Sequence, residues 1–144
     1  MFSNCVNMKI CQVPFDTVNW GSGTAKTFTL YATWNNCCSL EILDLGNWDV
    51  HDLTVNRIDS CWAGCYHLKS LNVKNWVTSK WTCNTGNGLY CLFYNCRRLV
   101  DIDLSGWDTS NWAPTRADSM FYFNASRRNF DDIKNWNTSN WKIV

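Results

Sequence analysis

Leu92-Phe93-Tyr94-Asn95-Cys96-Arg97-Arg98-Leu99-Val100-Asp101-Ile102-Asp103-Leu104-Ser105-Gly106-Trp107-Asp108-Thr109-Ser110-Asn111-Trp112 is the cleanest copy of a pattern that recurs about five times. An aromatic residue leads to Cys three positions later, and apolar residues stand three, six and eight beyond the Cys. Trp follows at eleven and a second large apolar residue at sixteen. Two other copies keep every spacing: Trp34, Cys37, Leu40, Leu43, Leu45, Trp48, Leu53, and Trp62, Cys65, Leu68, Leu71, Val73, Trp76, Trp81. A looser copy runs through Phe2, Cys5, Met8, Cys11, Val13, Phe15 and Trp20. A degraded one runs through Phe121, Asn124 in place of Cys, Ile133, Trp136 and Trp141. Counting back from Trp136 puts the charged Arg128 and Asp131 where apolar residues are expected. Such self-similarity decides the fold, because one unit cannot bury its apolar face without its neighbours.

Within each copy the L-x-x-L-x-L spacing ends on two apolar residues two apart, as at Leu43 and Leu45. That spacing puts both on one face of a short strand. The pattern therefore predicts a leucine-rich-repeat-like right-handed solenoid of about five turns. Each turn contributes one short parallel strand, and the rest is loops and short helical turns. The 144 residues form one domain, with turns at about 1–27, 28–59, 60–88, 89–118 and 119–144. Trp-Asp-Val, Trp-Val-Thr-Ser, Trp-Asp-Thr-Ser and Trp-Asn-Thr-Ser follow the strands at 48, 76, 107 and 136. Their short polar side chains close a corner by bonding the next backbone N–H groups. Gly21-Ser22-Gly23 and Asn84-Thr85-Gly86-Asn87-Gly88 read as turns, without the strand-then-helix context of a phosphate loop.

Thirteen basic and twelve acidic residues give no electrostatic case for nucleic acid or an anionic membrane surface. No segment approaches the apolar length of a membrane span, and Met1 to Ile10 reads as a repeat rather than a signal peptide. All ten Trp occupy repeat positions, which marks them as core. Of nine Cys, Cys5, Cys37, Cys65 and Cys96 take one equivalent position per turn and predict a buried ladder of free thiols. Cys11, Cys38, Cys61, Cys83 and Cys91 are scattered, and no C-x-x-C pair suggests zinc. A calcium ladder on Asp16, Asp49 and Asp108 is interrupted by Val77 and Asn137.

The run Phe-x-x-Cys-x-x-Leu-x-x-Ile-x-Leu-x-x-Trp-Asp-Thr-Ser-Asn-Trp, with Asp103-Leu104-Ser105-Gly106-Trp107-Asp108-Thr109-Ser110 at its centre, resembles the BspA-like leucine-rich-repeat family. It is closest to that family's variant of roughly 26 residues, first catalogued from mycoplasma proteins. Here the turns are longer and Trp often stands where the variant has Val. The resemblance implies a solenoid and a binding role, with no catalytic residues to carry over. Members are often cell-surface proteins, and arrays also occur in viruses and phages. The absence of a signal peptide and the reduced thiols point instead to an intracellular or virion setting.

No catalytic residue, metal ligand or cofactor is expected. His67 stands two residues from Cys65, a ladder position, and His51 lies in a turn. Asp44, Asp103 and Asp132 occupy equivalent outward strand positions, with Asn72 between. The candidate binding surface is Asp44, Asn72, Asp101 and Asp103 on the outward strand face, with Arg97, Arg98, Arg127 and Arg128 as a basic edge. The candidate end-layer interface is Phe2, Met8 and Val13 at one end and Ile133, Trp136 and Trp141 at the other, with no polar capping turn at either. Three functions follow from this. The first is a non-enzymatic protein-binding or scaffolding module. The second is a structural component of a virion, phage or other assembly, with end-to-end self-association. The third is a carbohydrate-binding module that stacks sugars on Trp112 and Trp141.

Overall fold

The computed structural model describes residues 1–12 and 27–143. Val13, Phe15, Asp16, Trp20 and Gly21-Ser22-Gly23 lie outside the described residues. Most of the chain is turns and loops around short parallel strands, and there is no α-helix among the described residues. β1 (Ile10–Cys11), β3 (Ile42–Asp44), β5 (Ser70–Asn72) and β6 (Asp101–Ile102) form one sheet in that order. Their register pairs Cys11 with Leu43, Leu43 with Leu71, and Leu71 with Ile102. Those residues face the core, and their sequence neighbours face out.

The expectation of one strand per turn needs correcting in two places. A second parallel pair, β2 (Thr27–Thr29) with β4 (Thr54–Arg57), lies on the segment that leads to each aromatic. No strand continues it in turn three, where Thr82 and Thr85 still donate to the carbonyls of Val55 and Asn56 but Cys83 between them is left-handed. The fifth turn has no strand among the described residues; a 3-10 turn at Asp131–Ile133 replaces it. Asn124 to Trp136 spans one residue more than Cys96 to Trp107, and the tighter turn absorbs the extra residue.

Three aromatic columns fill the interior. Phe2, Trp34, Trp62, Phe93 and Phe121 stack with centroids 5.9, 5.7, 5.0 and 5.3 Å apart. Trp48, Trp76, Trp107 and Trp136 stack at 6.3, 6.2 and 6.1 Å. Trp81 and Trp112 stack at 6.0 Å and tilt against the second column. Each such pair is worth about 0.5–1.5 kcal/mol beyond its area burial. Trp76, Trp112 and Trp136 donate their indole N–H to the carbonyls of Leu45, Thr78 and Leu104 one turn back. The buried indole N–H groups of Trp34, Trp62, Trp81 and Trp107 have no acceptor among the described residues.

The first column is held by stacked β-turns rather than strands. Trp34 and Asn36 donate to Cys61 and Ala63 at 2.8 Å, Trp62 and Gly64 to Leu92 and Tyr94, and Phe93 and Asn95 to Met120 and Tyr122. Winding this way demands a left-handed residue two before and two after each aromatic. Ala32, Ser60, Cys91 and Ser119 fill the first place, and Asn4, Asn36, Gly64, Asn95 and Phe123 the second, all at positive φ. Asn and Gly adopt that region readily; Phe123, at φ 61°, carries strain of about 1–2 kcal/mol.

A longer period is superimposed on the single turn. Residues 30–68 align without a gap on residues 89–127, 59 positions later, with twelve identities. The pairing joins turns two and three to turns four and five. It includes Tyr31 and Tyr90, Arg57 and Arg116, and Asp59 and Asp118. In each unit the Arg guanidinium bonds the Asp two residues on and lies over the Tyr 26 residues before it, 3.7 and 3.9 Å from the ring centroid.

Candidate functional site

The sheet presents its outward residues to solvent as a shallow groove of about 360 Å³. Asp44, Ser70, Asn72, Asp101 and Asp103 line it, because alternate residues of a strand face opposite ways. Neighbouring turns bond across it: Asn72 Nδ2 donates to Asp44 Oδ1 at 2.8 Å, and Ser70 Oγ to Asp101 Oδ2 at 2.6 Å. Asp44 also accepts from the Gly46 N–H, and Asp103 from the Ser105 N–H at 2.9 Å. The Ser105 side chain and N–H hold the Asp103 carboxyl below its ordinary value. A row of oriented carboxylates and amides on rigid strands can grip a segment laid across it.

The thiol ladder forms as hydrogen bonds rather than bridges. Cys37, Cys65 and Cys96 donate from Sγ to the carbonyls of Phe2, Trp34 and Trp62 at 3.0, 3.1 and 3.0 Å. None of the nine Cys is in a disulfide. Hydrogen bonding with Cys65, and then burial, push the Cys37 thiol up; burial does the same for Cys61 and Cys83. Since the thiolate is the reactive form, native protein at pH 8 should be alkylated by iodoacetamide at half-buried Cys5 and Cys38 first. Cys37, Cys61, Cys65, Cys83 and Cys96 should react only on unfolding. Mass spectrometry that found all nine modified at one rate would contradict the ladder.

His67 Nδ1 sits 2.7 Å from the Cys38 carbonyl, while the Cys65 thiol points inward to Trp34. His51 is exposed between Asp49 and Asp52, and Lys80 pairs with Asp52. Hydrogen bonding to Asp49 raises His51 above its ordinary value. Among the described residues no group of three or more His, Cys, Asp or Glu could hold a metal ion. Among them too, no helix is long and apolar enough to cross a membrane.

Four placements differ from the sequence reading. Arg127 is not on the basic edge: it is 7% exposed, paired through Nη2 with Asp132, with its guanidinium 4.9 Å from the ring centroids of Phe121 and Phe130. Counting forward from Asn124 puts Arg127 in the slot of Leu40, Leu68 and Leu99; Arg128 and Asp131 are exposed. Asp132 is not an outward strand residue, since its second oxygen accepts the Leu104 N–H at 3.0 Å. Trp112 is fully buried and cannot stack a sugar. The fifth turn is also not an uncapped apolar layer, because Asn124 and Arg127 bring buried polar groups into it. Phe2, Met8, Ile133, Trp136 and Trp141 are half-buried against the core, as end-layer residues would be. The Tyr–Arg–Asp clamps have a sequence signal in Arg-x-Asp recurring at 59 residues, each with Tyr 26 before the Arg.

A family model described as "Mycoplasma protein of unknown function, DUF285" matches residues 28–144. No curated protein and no solved structure matches the chain.

Proposed function

Since the chain belongs to the DUF285 family of mycoplasma proteins, we propose that it is a non-enzymatic protein-binding module built as a right-handed solenoid of the BspA-like leucine-rich-repeat type. The observation that carries this reading is the outward strand face. Asp44 and Asn72 pair across β3 and β5, Asp101 stands beside Ser70 on β6, and Asp103 directly follows β6; bonds from Asn72 to Asp44 and from Ser70 to Asp101 between turns, and from the Ser105 N–H to Asp103 within its own turn, fix their aim. Such pre-ordered polar groups lose little freedom when a partner docks. Random peptides displayed on phage and selected on the full chain should yield binders. A set of them should lose affinity for the triple variant Asp44→Asn/Asp101→Asn/Asp103→Asn, whose urea midpoint stays near that of the parent. A selection that returns no binders removes the reading.

The end layers favour a second reading, a structural component of a larger assembly. Trp136 and Trp141 remain half-buried at one end and Phe2 and Met8 at the other. Covering them against a neighbouring subunit would remove apolar surface from water.

A further inference from the structure

Residues 30–68 show what the fold requires of residues 89–127, because the two segments are copies of one two-turn unit. Both keep the Arg–Asp clamp, the corner Asp49 or Asp108, and the outward Asp44 or Asp103. Five of their differences share one edge. Asn35, Cys38, Ser39, Ala63 and Gly64 of the first unit are replaced by Tyr94, Arg97, Arg98, Tyr122 and Phe123 in the second. At those five positions the first unit packs without arginines or large rings, so winding the turns does not call for them there.

These residues make one surface. Tyr94 and Tyr122 stack 5.9 Å apart, and Phe123 meets Tyr94 edge-on at 6.2 Å. Arg97 lies 5.7 Å over Tyr66 and donates from Nε to Asn95 Oδ1 at 2.7 Å. The Ser126 N–H donates to the Arg97 carbonyl, which lays residues 126–128 alongside the Arg97–Arg98 pair. Tyr122 and Phe123 are 54% and 52% exposed. Phe123 holds this display in the left-handed conformation that Gly64 occupies in the first unit. Arg57, Arg116 and Arg127 are each paired with an aspartate. Arg97, Arg98 and Arg128 have no carboxylate partner among the described residues, and the neighbouring Asp101 is bonded to Ser70.

We propose that this edge docks an acidic segment of a partner protein, with carboxylates on Arg97, Arg98 and Arg128 and apolar side chains on Tyr94, Tyr122 and Phe123. Arginine forks match carboxylates, and exposed Tyr and Arg are the residue types that dominate protein interfaces. A net charge of +1 supplies no wider basic field of the kind nucleic acids need. None of these residues lines the strand-face groove, so the edge is a second surface beyond the one proposed above.

The test uses the same displayed-peptide selection on the full chain. Selected peptides are labelled with fluorescein and titrated by anisotropy, with oligothymidylate in parallel. The variant is Arg97→Ser/Arg98→Ser/Tyr122→Ala/Phe123→Asn, which installs small residues like those of the first unit. A class of Asp- and Glu-rich peptides is expected, weakened at least about tenfold by the variant and indifferent to Asp44→Asn/Asp103→Asn. The variant should unfold no more easily than the parent. Binders without acidic enrichment, acidic binders indifferent to the variant, or tighter oligothymidylate binding that the variant abolishes would each overturn the proposal. The first two leave the strand-face reading standing. Should the fourfold variant unfold, Arg98→Ser and Phe123→Asn singly give the same decision, since both sites are exposed.

Discussion

Trp76→Ala is expected to abolish most of the stability of the array. Trp76 is 2% exposed. The rings of Trp48, Trp62, Trp81 and Trp107 surround it at 6.3, 6.2, 5.6 and 6.2 Å. It is therefore the point where the three columns meet. Truncating a core aromatic costs about 3–5 kcal/mol. In stacked turns, each held only by its neighbours, a gap at the centre uncouples both sides. Folded domains hold only about 5–15 kcal/mol in total. Trp76→Phe keeps a ring in the column and loses the bond to the Leu45 carbonyl, a loss of about 1 kcal/mol plus the missing ring volume. That carbonyl still accepts from the Trp48 N–H, so no acceptor is orphaned. Urea unfolding followed by far-UV circular dichroism should place the midpoints in the order parent, Phe, Ala. Half-buried Trp141, 6.3 Å from Trp136 at the edge of the core, supplies the comparison. If Trp76→Ala cost no more than Trp141→Ala, the columns would not be the core.

The columns were legible because a ring that recurs at one place in every turn has nowhere else to go. Trp34, Trp48, Trp62, Trp76, Trp81, Trp107 and Trp112 are all buried. The strand face was legible for a similar reason. Alternation with period two fixes the side of Asp44, Asn72, Asp101 and Asp103 once Leu43, Leu71 and Ile102 face inward. The left-handed residues were less so, because Ala32, Ser60, Cys91 and Ser119 are small but of three different kinds, none typical of that conformation; only the recurrent Asn at 4, 36 and 95 marks the second site. The strong single-turn period also hides the two-turn one, whose clamps lie in the segment of variable length. In turn five the pattern shows that one residue is extra but not where it sits. Counting back from Trp136 passes over the insertion, whereas counting forward from Asn124 meets Arg127 before it. That single shift separates an exposed basic pair from a buried ion pair.

The polar layer of turn five gives the second large effect. Arg127 occupies the slot of a core leucine, and its Nε and Nη1 have no acceptor among the described residues. Asp132 is its ion-pair partner, and their side chains are 3% and 15% exposed. Removing one member of a buried pair leaves the other charge uncompensated, at about 3–5 kcal/mol. Arg127→Ala and Asp132→Ala should each lose that much. Arg127→Leu/Asp132→Asn removes both charges, restores the leucine of the other turns, and leaves an amide oxygen for the Leu104 N–H. It should unfold within about 1 kcal/mol of the parent or above it. Adding Asn124→Cys should raise stability further, because both polar atoms of the Asn124 side chain are buried without a partner. A thiol there can donate to the Phe93 carbonyl, as Cys96 does to that of Trp62. A double-mutant cycle in urea, built from Arg127→Leu, Asp132→Asn and the two together, separates the pair from its surroundings. A coupling near zero would place Arg127 and Asp132 in water. A large coupling with a stable double variant would mean that the ion pair costs the fold stability, so the two charges hold turn five in one arrangement rather than strengthen it.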